Sequence, residues 1–193
     1  MSAKHSKMKS VSILEAFCYY MNMQTKLIII RGNSGSGKST VAQLVREKLN
    51  GNTMLVPQDI VRREMLYVKD RVGNPAINLI SKIALYGKEV GYNVVLEGIL
   101  SKKLYDNMLN DLISEYGDDT YVFYMDVSFE ETLRRHDTKP KRNEYGEEKM
   151  KEWWLEKDYL NLPNEYLIPE SYSVTEAVEY ILTTVGKSSK LVN

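Results

Sequence analysis

Hydrophobic residues along this chain form short runs that alternate with longer segments of helical spacing. The short runs are rich in valine, isoleucine and leucine, which is typical of strands buried on both faces of a parallel sheet. They predict strands at Lys26–Arg31, Thr53–Val56, Asn93–Leu96, Tyr121–Met125 and Tyr166–Ile168. Because these strands alternate with helices, we expect an α/β fold in which helices cover both faces of one parallel sheet.

The segments between the strands place apolar residues three and four positions apart, as amphipathic helices do. A short helix, Ser10–Met23, is predicted before the first strand, and others are predicted at Asp59–Val68, from Pro75, and at Glu147–Tyr159. The predicted apolar faces are Val41, Leu44, Val45 and Leu49; Leu79, Ile83, Tyr86 and Val90; Leu104, Met108, Leu112 and Tyr116; and Val174, Ala177, Val178, Ile181 and Val185. Two S-x-x-E capping boxes mark helix starts, Ser128 with Glu131 and Ser173 with Glu176.

Composition places the chain among globular proteins of one domain. Of its 193 residues, 43% are hydrophobic and 27% are charged, and 26 basic residues balance 26 acidic ones. A protein that binds long nucleic acid usually carries a basic excess, so the balance argues against that partner. Cys18 alone excludes an intramolecular disulfide, and no apolar run approaches the roughly twenty residues that span a bilayer. We expect a cytoplasmic protein with an N-terminal helical extension, residues 1–25, and one domain, residues 26–193.

The most specific motif is Gly32–Ser39, which satisfies G-x-x-x-x-G-K-[ST] between a predicted strand and a predicted helix. Glycines let successive backbone N–H groups surround a phosphate, and the following helix adds the positive end of its dipole. Lys38 is expected to reach the β- and γ-phosphates, and the Ser39 hydroxyl to ligate Mg²⁺. The alternative is a flexible Gly/Ser turn, which the surrounding strand and helix disfavour. ATP and Mg²⁺ are therefore the expected cofactors, with contacts from Asn33, Ser34, Gly35, Ser36, Gly37, Lys38, Ser39 and Thr40.

Three classes of protein share such a loop: kinases, nucleotide-switched binding modules and remodelling ATPases. The chain contains no N/T-K-x-D tetrapeptide, the pattern that reads guanine in GTPase switches. Its third predicted strand is followed by Glu97 alone, whereas remodelling ATPases carry a carboxylate pair there and are usually longer. A small phosphotransferase fits these features best.

Asp59 follows the second predicted strand, at the sheet edge where α/β proteins bind ligands. A carboxylate there can accept the proton of an acceptor hydroxyl as that hydroxyl attacks the γ-phosphate. If a helix starts at Asp59, Arg62 and Arg63 lie on the same side of it and bring cations to the carboxylate and the acceptor. The alternative is that Asp59 serves only as the helix N-cap.

Two further regions are predicted to complete the site. Glu97 either holds the acceptor, together with Arg63, or orients an Mg²⁺-bound water, or pairs with a nearby arginine. The run from Arg134 to Arg142 carries five cations and one acid. It predicts a lid around residues 134–146 that closes over the nucleotide, with Arg134 and Arg142 as the cations at the transferred phosphate. A solvated charged loop is the alternative for this run.

Two segments, GNSGSGKST from Gly32 and QDIVRREML from Gln58, give the sequence a family resemblance over Lys26–Val185. It resembles P-loop kinases of the zeta-toxin and chloramphenicol-phosphotransferase type, and also the kinase domain of polynucleotide 5′-hydroxyl kinases. The resemblance implies a P-loop NTPase three-layer sandwich whose five parallel strands lie in the order 2-3-1-4-5. It further implies that Asp59 is the general base, that Arg62 helps to hold phosphate, and that residues 170–173 contact adenine.

The sequence thus predicts an ATP- and Mg²⁺-dependent kinase that phosphorylates a hydroxyl of a small-molecule acceptor. No pattern in the chain identifies the acceptor. A polynucleotide 5′-hydroxyl kinase and a nucleotide-binding regulator without phosphotransfer are the alternatives.

Overall fold

The computed structural model describes residues 24–49, 51–138 and 146–187. Two predicted segments lie outside the described residues: the helix Ser10–Met23, which makes up most of the extension 1–25 and contains Cys18, and the central lid residues 139–145, which include Arg142. They stay predictions.

Five parallel strands form one sheet in the order β2-β3-β1-β4-β5, as the resemblance implied. The strands are β1 (Leu27–Gly32), β2 (Thr53–Pro57), β3 (Asn93–Gly98), β4 (Thr120–Asp126) and β5 (Glu165–Pro169). All six residues of β1 are buried, because this strand lies at the centre of the sheet between β3 and β4. The predicted α/β architecture is confirmed.

Helices cover both faces of the sheet. They are α1 (Lys38–Leu49), α2 (Pro75–Glu89), α3 (Lys102–Tyr116), α4 (Phe129–Asp137), α5 (Glu147–Glu152) and α6 (Val174–Lys187), with a π-helix at Ile60–Met65. Alternate residues of β1 enter two separate cores: Leu27 and Ile29 pack with residues of α2 and α3, and Ile28 and Ile30 with residues of α1 and α6. The three-layer sandwich follows from this alternation. Within the described ranges, no helix is long and apolar enough to span a membrane.

The apolar face predicted for α2 is confirmed in part: Leu79 and Ile83 are partly buried and pack against the core, but the face is centred one position further along the chain. Its fully buried residues are small or branched, namely Ala76, Ile80, Ala84 and Gly87. Tyr86, predicted to face the core, is 59% exposed. The small residues let the helix approach the sheet closely: a Cβ on Gly87 would lie 2.5 Å from Met54 Cε and 2.6 Å from Val94 Cγ2. Apart from Ile80, the larger apolar residues of α2 pack only at the margin of this core.

Two predicted helices are shorter than expected. The helix predicted at Asp59–Val68 is a π-helix that ends at Met65, and Tyr67 beyond it has a φ of 52°. The helix predicted at Glu147–Tyr159 ends at Glu152, because the chain then turns to make contacts with the end of β1 and the segment that follows it. Leu155 N, for example, donates to Asn33 Oδ1 at 3.0 Å. In both places tertiary contacts override the helical pattern.

Only one of the two predicted capping boxes forms completely. At the start of α6 both reciprocal bonds form between Ser173 and Glu176. At the start of α4 only half of the box forms: Ser128 Oγ accepts from Glu131 N at 3.3 Å, while Ser128 N donates to Glu170 instead. The Glu131 carboxylate is occupied by two arginines of its own helix.

Candidate active site

The carboxyl ends of β1, β2 and β3 bring the predicted chemistry to one edge of the sheet. β1 runs into the phosphate-binding loop, and β2 is followed by Asp59. Glu97 is the penultimate residue of β3, where it is paired in register with Ile30 of β1 and Pro57 of β2. This juxtaposition, predicted from the alternation of elements, makes the edge a candidate site.

The phosphate-binding loop, Gly32–Ser39, has the backbone of a phosphate cradle. Gly35 and Gly37 have φ values of 83° and 100°, which side chains disfavour, and a Cβ on Gly35 would lie 2.7 Å from Thr132 O. The fully buried Ser36 hydroxyl has no hydrogen-bond partner in the part of the chain that the structure describes. A cradle that excludes side chains and holds an unpartnered hydroxyl fits an anionic ligand.

Lys38 begins α1 and turns its ammonium group back over the loop, where Nζ donates to Asn33 O at 3.1 Å. Burial lowers the pKa of Lys38, while the nearby carboxylates of Glu97 and Asp59 raise it. A partly desolvated cation at this position interacts strongly with phosphate oxygens.

The other predicted nucleotide-binding residues divide into two groups. Ser39 and Thr40 are exposed at the mouth of the loop, where a ligand can reach them. Asn33, in contrast, uses its buried side chain to hold a neighbouring segment: Nδ2 donates to Leu155 O at 2.8 Å, and Oδ1 accepts from Leu155 N. Its carboxamide therefore stabilises the fold and is not available to a ligand, while its backbone carbonyl accepts from Lys38 within the loop.

Glu97 is joined to the phosphate-binding loop. The Ser39 hydroxyl donates to Glu97 Oε2 at 3.1 Å, and the glutamate is only 5% exposed. A hydroxyl beside a carboxylate is an oxygen donor set suited to Mg²⁺, which takes one or two protein ligands and completes its shell with phosphate and water. Of the three interpretations of Glu97, this contact favours a role at Mg²⁺ over a role in holding the acceptor or pairing with an arginine.

Asp59 precedes the π-helix, but its side chain makes no capping hydrogen bond. Oδ1 accepts from Arg62 Nη2 at 2.8 Å, and Arg63 Nη1 lies 3.8 Å from Oδ2. The spacing argument for these two arginines is confirmed, and the capping alternative is wrong for the side chain. Asp59 remains 62% exposed, so a ligand can approach it.

A cleft of about 820 Å³ opens beside this carboxylate. Its wall is formed on one side by Ser39 and Glu97 and on the other by the chain from Asp59 to Lys69. Arg62 and Arg63 both line it, but Arg62 is directed to Asp59 and to Val68 O rather than into open space. The cleft is large enough for a small-molecule acceptor.

The residues predicted as the start of the lid belong to α4, and the structure separates the two neighbouring arginines there. Arg134 is 71% exposed and contacts Glu131. Arg135 reaches the phosphate-binding loop, where Nη1 donates to Ser36 O at 2.7 Å and Nη2 donates to Glu170 O at 2.9 Å. The sequence pattern predicted Arg134 as a cation at the transferred phosphate. Nothing in the local sequence distinguishes Arg134 from Arg135.

A second cleft, of about 500 Å³, lies next to Arg135. Ser36 and Gly37 of the phosphate-binding loop line one side, and residues 170–173 line another. These are the residues that the resemblance assigned to adenine, and the structure places them beside the loop.

The sequence did not indicate a role for two buried polar residues near the site, beyond their position in or next to predicted strands. Arg31, inside the central strand, is fully buried and donates twice to Leu100 O. Gln58, immediately before Asp59, is 2% exposed and makes three hydrogen bonds. A charged or amide residue in a buried run could have indicated a polar network, but not its partners.

Several solved structures of similar fold are kinases. An APS kinase CysC from Mycobacterium tuberculosis, in complex with AMPPNP and APS, superposes with a TM-score of 0.65 at 19% identity, covering 86% of this chain and 98% of that one. A gluconokinase from Sinorhizobium meliloti 1021 gives 0.60 at 14% identity, with coverages of 87% and 95%. A sugar kinase from Janibacter sp. HTCC2649 gives 0.58 at 15% identity, with 82% and 93% covered. The chain has the P-loop kinase fold, which generally binds nucleotide.

Sequence comparison adds the family. No curated protein sequence matches the chain. The family model described as Zeta toxin matches residues 14–146, well over half of the chain and including the phosphate-binding loop, Asp59, Glu97 and Arg135. The chain therefore belongs to the Zeta toxin family.

Proposed function

We propose that this protein is a kinase that transfers the γ-phosphate of ATP to a hydroxyl group of a small-molecule acceptor. One observation carries the proposal: Ser39 of the phosphate-binding loop is hydrogen-bonded to Glu97 on the wall of the same cleft that Asp59 lines. A phosphate donor in the loop and an acceptor in the cleft would therefore meet between Lys38 and Asp59.

The nucleotide side would be held by the loop. The backbone of Gly35–Lys38 and the Ser36 hydroxyl would contact the phosphates, and Lys38 would supply a cation. Ser39 and Glu97 are the residues that would hold Mg²⁺, which when bound offsets the charge of the β- and γ-phosphates. This assignment gives Glu97 a role on the metal side, although the residue also lines the acceptor cleft.

The acceptor side would depend on Asp59. Its carboxylate accepts the proton of the acceptor hydroxyl while the hydroxyl oxygen forms a bond to the γ-phosphorus. The bond from that phosphorus to the β–γ bridging oxygen breaks, and ADP leaves. Arg62 holds the carboxylate in place through a 2.8 Å hydrogen bond, and Arg63 is half exposed and available to the acceptor.

We further propose that Arg135, rather than Arg134, is the cation of α4 that acts at the phosphates. Its guanidinium already lies at the loop, whereas Arg134 points to solvent. Arg142 stays a second predicted cation of the lid.

A polynucleotide 5′-hydroxyl kinase is the second candidate, favoured by one observation. The rim of the acceptor cleft carries Arg63 and Lys69 together with Tyr67, whose ring is 93% exposed. Cations with an exposed aromatic ring are the combination that binds single-stranded nucleic acid. The zero net charge of the chain opposes this candidate.

The proposal is tested by incubating the protein with γ-labelled ATP, Mg²⁺ and a pool of metabolites, with 5′-hydroxyl oligonucleotides at low salt as a separate arm. The Asp59→Asn protein is expected to bind ATP as the wild type does and to transfer phosphate about 10²- to 10⁴-fold more slowly. The Lys38→Ala protein is expected to lose ATP binding. Asp111→Asn changes an exposed aspartate on α3 and is the matched control, with full activity expected.

Each arm has an outcome that contradicts a specific claim. Normal transfer by Asp59→Asn would refute its role as base. Labelling of oligonucleotides alone would favour the polynucleotide kinase. ATP binding without labelling of any acceptor would support the nucleotide-binding regulator.

A further inference from the structure

We propose that Gln58, Tyr105, Asp70 and Asn74 form a clamp that holds the acceptor wall of the cleft against the sheet and so positions Asp59. The acceptor wall is the segment 59–73. The inference rests on the proposed function for its consequence in catalysis, but its structural basis is independent of that function.

The clamp is a closed network of hydrogen bonds. Gln58 Nε2 donates to Tyr105 Oη at 2.8 Å and to Asp70 Oδ2 at 3.1 Å, and Tyr105 Oη donates to Asp70 Oδ1 at 2.7 Å. Asn74 Nδ2 donates to the same Asp70 oxygen at 3.0 Å. Gln58, Tyr105 and Asn74 are almost fully buried, so the bond between Gln58 and Tyr105 is shielded from water. Asp70 is exposed, and its bonds to these three residues are partly buried.

The network closes both ends of the acceptor wall. Gln58 immediately precedes Asp59, and Asp70 and Asn74 lie where the wall returns to α2. Tyr105, on α3, stands between the two ends. The intervening chain contains the π-helix and Tyr67, whose positive φ breaks regular structure. Its own hydrogen bonds, such as Leu66 N to Val61 O and Val68 N to Arg62 O, lie within the wall and do not join it to α3.

The third bond of Gln58 reaches the loop that follows β3. Leu100 N donates to Gln58 Oε1 at 3.1 Å, and Leu100 itself is buried with a φ of 44°. Gly98, between Glu97 and Leu100, is packed so tightly that a Cβ there would lie 2.3 Å from Gln58 Oε1. One carboxamide thus ties the segment that carries Asp59 to the segment that carries Glu97.

The hydrogen-bonding groups of Gln58 and Tyr105 all have partners within the clamp or at Leu100. Gln58 uses both N–H groups and its carbonyl oxygen, and burial together with Asp70 raises the pKa of Tyr105, which keeps the phenol protonated as a donor. Loss of one member leaves buried polar groups unpaired. We therefore expect single changes to loosen the wall while the fold persists.

The first test compares two tyrosines of the same helix. Tyr105→Phe removes the clamp hydroxyl, and Tyr116→Phe removes a buried hydroxyl that donates to Ala84 O, away from the cleft. In hydrogen–deuterium exchange, Tyr105→Phe is expected to accelerate exchange of the 59–73 amides and of Leu100 N–H by about fivefold or more. Tyr116→Phe is expected to leave these amides unchanged.

Turnover provides the readout that loss of stability alone would not move. With release of inorganic phosphate from MgATP as the probe, Tyr105→Phe is expected to lower kcat about tenfold or more and to keep KM for MgATP within about twofold. Equal effects of the two substitutions on exchange and on kcat would overturn the clamp.

A second test exchanges donors and acceptors. Gln58→Glu places a carboxylate against Asp70 and is expected to loosen the wall as Tyr105→Phe does. Adding Asp70→Asn supplies an amide donor to that carboxylate and leaves one negative charge in the network, so the double variant is expected to recover slow exchange and at least half of the kcat. Failure of the double variant to recover would contradict the assigned bonds.

The two proposals fail in different ways. If the wild type shows neither hydrolysis nor transfer, the proposed function is wrong, while the exchange comparison still decides whether the clamp exists. If turnover is present and Tyr105→Phe matches Tyr116→Phe, the clamp is wrong and the kinase assignment stands.

Discussion

Arg134 and Arg135 are adjacent in the chain and share a salt-bridge partner, yet they occupy different environments. Both contact Glu131, at 2.6 Å. Only Arg135, at 20% exposure, extends further to Ser36 O and Glu170 O, which line the second cleft. One position along a helix rotates a side chain by about 100°, which is enough to separate a residue of the site from a residue of the surface.

We expect Arg135→Gln to weaken MgATP binding by roughly 10- to 100-fold, because charge-assisted hydrogen bonds of this kind contribute about 1.5–3 kcal/mol. Arg134→Gln is the matched control and is expected to change Kd by less than about twofold. Titration with a fluorescent ATP analogue measures both. Equal effects would mean that Arg135 has no special role at the nucleotide.

At this scale the sequence predicted the residues whose chemistry is carried by a motif. Gly35, Gly37 and Lys38 could be identified because a phosphate cradle needs those residue types at that spacing. Arg135 and Gln58 could not, since their contacts are with residues 99 and 42 positions away.

Among the elements, α4 depends on one carboxylate. Glu131 accepts hydrogen bonds from Arg134 and Arg135 of its own helix, and these bonds hold the pKa of Glu131 at about 2, well below its usual range. Through Arg135 the same carboxylate supports the contact between α4 and the phosphate-binding loop. The ionised form of Glu131 therefore stabilises the folded state.

The stability of the protein should depend on pH through this group. Because the pKa of Glu131 is lower in the folded state than in the unfolded state, its contribution is fully present above about pH 4.5 and is lost as the pH falls toward 2. Urea unfolding is expected to show wild type more stable than Glu131→Gln at pH 6, with a gap that narrows by pH 3. Glu130→Gln, in the same turn and with no salt bridge among the described residues, is the control. A gap that stays constant with pH would contradict the assignment.

The elements also show where pattern reading fails. In α2 the centre of the core face is made of Ala76, Ala84 and Gly87 as well as Ile80. A search for large apolar residues therefore finds the margin of that face, Leu79 and Ile83, and wrongly includes the exposed Tyr86. Two helices near the site are shorter than their sequence pattern predicts. The helix that begins at Glu147 ends before Leu155, which is bonded to Asn33, and the π-helix ends before the turn at Tyr67.

For the molecule as a whole, Arg31 connects parts that are distant in sequence. Its guanidinium, fully buried in β1, donates to Leu100 O after β3, to Asp158 Oδ2 and to Glu165 Oε1 at the start of β5. Burial lowers the pKa of Arg31, and the two carboxylates oppose that shift. The residue next to the phosphate-binding loop is thus joined to both halves of the sheet.

Replacing Arg31 should destabilise the whole fold. Arg31→Met leaves two carboxylates without their cation, of which Glu165 is 4% exposed, and breaking a buried ion pair costs about 3–5 kcal/mol. Arg134→Met breaks an exposed pair and is expected to cost less than about 1 kcal/mol. Urea unfolding monitored by circular dichroism compares the two. Similar losses for both variants would show that the Arg31 network does not stabilise the fold.

The sequence by itself determined the layered α/β architecture and the location of the phosphate-binding loop. Strand runs, helical spacing and G-x-x-x-x-G-K-[ST] are short-range patterns, so each can be recognised without knowing what the segment packs against. Tertiary structure alone decided that Glu97 contacts Ser39, that Arg135 rather than Arg134 reaches the loop, and that Gln58 bonds to Tyr105, Asp70 and Leu100. These contacts depend on how distant segments pack, and the packing energy of a whole core outweighs the local preferences that a sequence displays.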